Sequence, residues 1–321
     1  MNILLQKALN GSKKQYRRLF RPAHSFYGTK VKLGLNIEYG NKLVRNALLC
    51  DKPVMIARMG TTECGAVNNY LGVREGKKNP WKYITGRQHA WWWNGTAKKA
   101  LATVSGFFPT TDENLERFGE LMLQDLPIAD ILVTLTYADQ YLKSYFPKAK
   151  RITLPSMEPW FSIHPWTHVL EGKRVLVVHP MVETFRNQYK IRDKIWPDGL
   201  LPDFELLTIK AVQTLAGEKS IFSDWFEALE WMKSEIDKTD FDIAIIGCGA
   251  YGFPLSAHVK RMGKKAVHMA GATQLLFGVR GKRWEDDPTQ PFTNFMNEYW
   301  VRPAGSETPK NANLVEGGCY W

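Results

Sequence analysis

The stretch FDIAIIGCGAYGFPLSAHVKRMGKKAVHMAGATQLLF, Phe241 to Phe277, decides the reading of this chain. Phe241 to Ile246 is an apolar, β-branched run of buried-strand length, broken by Gly247-Cys248-Gly249-Ala250-Tyr251-Gly252. Leu255 to Met262 then has a helical pattern, and Lys265 to Ala270 is a second short apolar run after Gly263. The segment predicts one βαβ unit, whose parallel strands need a right-handed crossover. Glycines at a strand-to-helix junction let a ligand approach the backbone, and the N-terminus of the next helix offers unpaired N–H groups to a phosphate. Gly247, Gly249, Ala250 and Tyr251 are therefore candidate ligand contacts.

The same alternation extends in both directions. Ile37 to Leu48 predicts a helix, Pro53 to Ala57 a strand, and Cys64 to Leu71 a helix after the turn Arg58-Met59-Gly60-Thr61-Thr62-Glu63. Ile131 to Thr136, Arg151 to Leu154 and Arg174 to Val178 predict buried strands, and Asp112 to Leu123 and Asp224 to Asp237 amphipathic helices, the first capped by Thr111. The expected class is α/β: a doubly wound, mostly parallel, Rossmann-like sheet with helices on both faces, binding ligands beyond the carboxyl ends of its strands. The expected organisation is a basic arm over residues 1–35, a single α/β domain over 36–290, and a tail over 291–321 whose aromatic end, Tyr320-Trp321, docks back on the body.

Gly247, Gly249 and Gly252 match the dinucleotide spacing G-x-G-x-x-G, which raises a nicotinamide-dependent oxidoreductase as an alternative. That fingerprint also requires an acidic residue at the end of the next strand, and here the strand ends in His268-Met269-Ala270-Gly271.

The chain has 321 residues, 44% hydrophobic and 23% charged, an ordinary globular composition that argues against disorder. It contains no apolar run of membrane-spanning length and no export-signal pattern, so a cytoplasmic location is expected. Its four cysteines form no C-x-x-C pair and are expected to be free thiols. The net charge of +11 is unevenly placed. Lys7, Lys13, Lys14, Arg17, Arg18, Arg21, Lys30 and Lys32 precede the first acidic residue, Glu38, leaving a nearly neutral body. This argues against a nucleic-acid groove and for an arm at the inner face of an anionic membrane, with Leu4, Leu5, Leu9, Leu19 and Phe20 interleaved among the cations.

The turn R-x-G-x-x-E of Arg58, Gly60 and Glu63 near the start, together with F-D-I-A-I-I-G-C-G-A-Y-G-F-P-L and K-R-M-G-K-K-A near the end, resembles the bacterial glycosyltransferases of the GT-D fold over roughly residues 36–285. The resemblance implies transfer of a sugar from a nucleotide-diphosphate donor to a glycan or lipid-linked glycan, as in polysaccharide biosynthesis. In that family an early Asp-x-Glu binds the donor and a divalent metal, Mn or Mg. Glu63 matches the Glu, but Thr61 stands where the Asp would be, which removes one oxygen ligand from any such metal. With that Asp missing, a non-catalytic nucleotide or glycan binder is the second alternative.

Glycosyl transfer needs charge stabilisation of a departing diphosphate and a base for the acceptor hydroxyl. Arg58, Gly60, Thr61 and Arg192 are candidate donor contacts; Glu63, Glu183 and His179 are candidate catalytic groups. Glu183 and His179 come from the segment His179 to Arg192, which follows a buried strand and holds three cations, a carboxylate and a histidine. Trp91, Trp92 and Trp93 cannot all face one core, so at least one is expected at a surface or cleft, where a rigid aromatic face suits a sugar ring.

Overall fold

A computed structural model describes residues 2–20, 33–134, 137–287 and 292–321. Arg21, Lys30 and Lys32 of the basic arm, the last two residues of the expected strand Ile131 to Thr136, and the boundary drawn at residue 290 lie outside the described residues.

The strands are β1 (Val54–Arg58), β2 (Ile131–Thr134), β3 (Lys150–Thr153), β4 (Arg174–His179), β5 (Glu205–Lys210), β6 (Ile243–Ile246) and β7 (Lys265–His268). They form one sheet in the order β3-β2-β1-β7-β6-β4-β5, with every pairing parallel. The sheet is therefore doubly wound α/β. Before β1 come α1 (Ile3–Phe20) and α2 (Leu33–Leu49); between β1 and β2 come α3 (Thr61–Glu75), α4 (Pro80–Ile84), α5 (Gly95–Ser105) and α6 (Asp112–Asp125). The later helices are α7 (Leu154–Met157), α8 (Val182–Tyr189), α9 (Arg192–Ile195), α10 (Trp225–Asp237), α11 (Gly252–Arg261), α12 (Thr273–Leu276) and α13 (Lys282–Glu285).

Side chains of a strand alternate between faces, so a sheet covered on both sides needs apolar residues at every position. On β1, Met55 and Ala57 join the core under α3, α6, α10 and α11, while Val54 and Ile56 join the one under α2, α8 and α12. Leu176 and Val178 of β4 face the first core, Val175 and Val177 the second, and β6 divides in the same way. β5 was not anticipated: it is an edge strand, its ends Glu205 and Lys210 are exposed, and its apolar run is too short to stand out.

The connections position the site. From β4 the chain crosses outward to β5, and from β6 it crosses the other way to β7, although β4 and β6 are hydrogen-bonded neighbours. Connections that leave adjacent strands in opposite directions open a crevice at their carboxyl ends. His179 ends β4 and Gly247 follows β6 at that point.

Candidate functional site

A cleft enclosing about 930 Å³, solvent at its mouth included, lies over these strand ends. Arg58 of β1, His179 of β4, Gly247 after β6 and His268 of β7 form its floor. Gly60 to Glu63 at the start of α3, Ser105 at the end of α5, and Tyr320 and Trp321 of the tail form its walls.

Helix α3 begins directly after β1, with Gly60 in extended conformation at its N-cap and no side-chain cap. Glu63 in the first turn folds back over Gly60, where a Cβ would collide with its carboxylate. The Thr62 hydroxyl donates to Glu63 Oε2 at 2.9 Å and also bonds Ser105 Oγ. Glu63 is buried, and it forms none of the described ion pairs. Arg58 likewise forms no ion pair among the described residues, and its buried Nε has no hydrogen-bond partner. A cation held this way, partly out of water, favours an anionic ligand. The cleft's other charged groups, Arg283 and Glu316, pair with each other, and Arg283 also donates to the Tyr320 hydroxyl at 2.8 Å.

The two histidines of the floor are neutral. Burial lowers each to about 3, from the ordinary 6.5. His179 Nδ1 accepts the Met181 N–H at 3.1 Å, so Nε2 carries the ring proton. A histidine this hard to protonate is a weak general base and a good neutral hydrogen-bond donor. The Arg58 backbone lies near the His268 ring but closes no hydrogen bond with it. Cys248 also lines the cleft, but burial pushes its thiol up, away from the reactive thiolate.

The glycine turn serves packing first. A Cβ on Gly247 would stand 2.5 Å from the Ala270 carbonyl oxygen and 2.7 Å from His179 Cδ2, and one on Gly252 would strike the His268 ring. Gly249 has φ +57, and its Cβ would stand 2.7 Å from the Ser105 carbonyl oxygen. The protein's own atoms thus press against all three glycines. Ala270, on the cleft wall, holds φ +52, a left-handed conformation that non-glycine residues rarely adopt.

The sequence-predicted residues divide in two. Arg58, Gly60, Thr61, Glu63, His179, Gly247, Gly249 and Tyr251 come together around the cleft. Ala250 turns into the core between sheet and helices. Glu183 lies at the start of α8, outside the cleft lining, with its carboxylate 3.5 Å from the Lys210 ammonium. Arg192 pairs with Asp203 at 2.8 Å and sits over the Tyr189 ring, also away from the cleft. Both belong to the outward crossover from β4, where Glu183 finds its partner on β5 and Arg192 on the loop before it. Trp91, Trp92 and Trp93 precede α5, whose other end reaches the cleft. Trp92 is buried with Tyr83 and Leu9, Trp91 packs on that cluster, and Trp93 stacks near Tyr70, so these rings join helices instead of lining the cleft.

The residues that sequence reasoning missed are His268, Arg283, Tyr320 and Trp321. His268 was legible as a strand end. Tyr320 and Trp321 reach the cleft only through the path of the tail, and Arg283 of α13 by pairing with Glu316 and Tyr320 of that tail, contacts too far apart in sequence to be placed by pattern.

A divalent metal requires several oxygen ligands. Among the described residues no group of three His, Cys, Asp or Glu side chains is placed to hold one, and Glu63 is the cleft's one carboxylate outside an ion pair with arginine. That donor set does not fit a metal held by the protein alone. Compared with family models, with curated proteins and with solved structures, the chain matches none.

Proposed function

We propose that this cleft binds a nucleotide-diphosphate sugar and that the protein transfers the sugar to a glycan or lipid-linked glycan hydroxyl. The observation behind this reading is the placement of Arg58 and Glu63 in one cleft at the switch point of a parallel sheet, a cation and a carboxylate that no ion pair among the described residues neutralises. Arg58 answers the charge that builds on the departing diphosphate, and the orphan N–H groups at the start of α3 add to it. Glu63 accepts a hydrogen bond or a proton from a sugar hydroxyl. Neutral His179 donates from Nε2, and Tyr320 and Trp321 provide aromatic surface for a ring. The nicotinamide alternative lacks the acidic residue that dinucleotide binding needs at the end of the next strand, since β7 ends in His268.

A thermal-shift panel of nucleotide sugars, with and without Mn²⁺, tests the binding step. A ligand at 100 times its Kd stabilises the native state by about 2.7 kcal/mol. Stabilisation by one nucleotide class, followed by release of the nucleoside diphosphate in the presence of acceptor, is the expected result. A panel without any shift, or a shift with NADH alone, overturns the proposal.

A further inference from the structure

Helix α1 is an 18-residue helix of which only Leu9 is buried. It rests on α4 through a narrow strip. Leu9 packs with Tyr83 and Trp92, Asn10 accepts the Tyr83 hydroxyl at 2.5 Å, the Lys13 ammonium stands 4.0 Å from the centre of the Tyr83 ring, and Tyr16 meets the edge of Trp81. The rest faces outward. Leu4 is 73% exposed, and Ile3, Leu5, Leu19, Phe20 and the neighbouring Trp81 are exposed as well. With 3.6 residues per turn, Ile3, Lys7, Lys14 and Arg18 lie on the side away from Leu9. The helix contains five cations and no acidic residue.

We propose that α1, with Trp81 beside it, is a docking surface for an anionic lipid bilayer, on which the helix lies in the plane of the headgroups. Each part of the surface has a matching part of the membrane. Ile3 and Leu4, on the side away from Leu9, enter the boundary of the acyl chains with Leu19 at their flank, Trp81 sits at headgroup level beside the helix, and Lys7, Lys14, Arg17 and Arg18 meet lipid phosphates. No helix among the described residues is long and apolar enough to cross a membrane, so the contact is peripheral. A second copy of the chain is the wrong partner, since an isologous contact would bring two acid-free, fivefold-positive helices together. Nucleic acid matches the cations but leaves the exposed apolar side chains unused.

Co-sedimentation of the full chain with phosphatidylcholine vesicles, alone or containing phosphatidylglycerol, at low and high salt, tests the surface. The protein is expected to sediment with the anionic vesicles only, and to be released by salt. Each cation at such a surface strengthens binding about fivefold, so Arg17→Ala/Arg18→Ala lowers the partition about 25-fold. Leu4→Ser/Leu5→Ser lowers it too, through the apolar contact. All four side chains are exposed, so melting temperature and nucleotide-sugar binding stay unchanged in both variants, which separates this surface from the cleft. Equal sedimentation with neutral vesicles, undiminished binding by the arginine variant, or no lipid binding at all overturns the proposal. So does salt-resistant self-association that the leucine variant abolishes.

Discussion

Glu307 accepts hydrogen bonds from both the backbone N–H and the hydroxyl of Thr184, at 3.1 and 2.5 Å, although 123 residues separate the two. The other oxygen of the same buried carboxylate accepts the Glu183 N–H at 2.7 Å. Helix α8 starts beside His179 and has no cap of its own. Its N-terminus would otherwise hold unpaired donors, and the tail supplies the anion. This contact fastens the segment that leads to Tyr320 and Trp321, so it links helix capping to the shape of the cleft.

Glu307→Ala should therefore cost about 2–4 kcal/mol, because it leaves buried N–H groups without a partner and loses a charged acceptor. Ligand binding in the cleft should weaken as well, once the tail is loosened. Urea unfolding and a binding titration measure the two effects. An unchanged midpoint would show that another contact holds the tail.

The Glu63 carboxylate is buried with a single hydrogen bond among the described residues, from Thr62. A charge kept in that state contributes little to stability, so Glu63→Gln should leave the melting temperature unchanged or raise it while lowering turnover by more than about tenfold. Gly60→Ala should have a related effect by displacing the carboxylate, since φ −63 and ψ 160 at residue 60 suit alanine but the added Cβ does not suit Glu63. In a Glu63→Ala background Gly60→Ala should then cost nothing further. Full additivity of the two changes would argue that Gly60 acts independently of Glu63.

Gly249 is the position where the apparent motif and the structure diverge. If its missing side chain made room for a ligand, Gly249→Ala would leave stability alone and abolish binding. With φ +57 and the Ser105 carbonyl 2.7 Å from the new Cβ, the substitution should instead destabilise the fold by about 1–3 kcal/mol. Denaturant melts of Gly249→Ala decide between the two, and a variant of native stability with no affinity would restore the ligand-contact role.

Glycine spacing thus revealed the turn but not what fills it. The strands were legible because β4 and β6 are covered on both faces and read as unbroken apolar runs, whereas β5 lies at an edge with polar ends. Thr111 was legible as a cap because capping is local: its hydroxyl accepts the Asn114 N–H at 3.1 Å. Arg58, Glu63 and His179 could be placed in a site because each lies at or just after the carboxyl end of a strand, and those ends converge in a parallel sheet. Arg192 and Glu183 share that sequence context, but the crossover from β4 carries them outward along α8 and α9. Trp91 to Trp93 satisfy the composition of a sugar platform, but Trp91 and Trp92 are used to seat α1 and α4 and Trp93 packs near Tyr70 of α3. Periodicity has no access to that choice, which depends on how helices far apart in the chain meet.

The last prediction concerns pH and joins stability to the charge on Arg58. Burial holds His179 and His268 at about 3 and His89 at about 4, against 6.5 for a free histidine, and raises Glu158 from 4.5 to about 8. Between pH 4 and 6.5 the unfolded histidines bind protons that the folded ones refuse, so stability rises with pH through that window. Glu158 acts in the opposite sense: the folded state keeps a proton that the unfolded state loses above 4.5, so stability falls as pH rises from 4.5 to about 8. Each group changes stability by up to about 1.4 kcal/mol per pH unit. Three histidines outweigh one glutamate below 6.5, and from there to about 8 Glu158 has the larger effect, which places the maximum near pH 6.5; Lys13, which burial lowers from 10.5 to about 8, adds stability with rising pH only above that. Glu158→Gln should remove the decline on the alkaline side. The charge of Arg58 reaches Glu158, so protonated Glu158 leaves that arginine free for an anion in the cleft, and its ionisation above about 8 supplies a competitor. Affinity for an anionic ligand should then fall above pH 8 in the natural protein and stay level in Glu158→Gln. Melting temperatures and ligand titrations from pH 5 to 9 measure both, and parallel alkaline declines in the two proteins would remove Glu158 from either role.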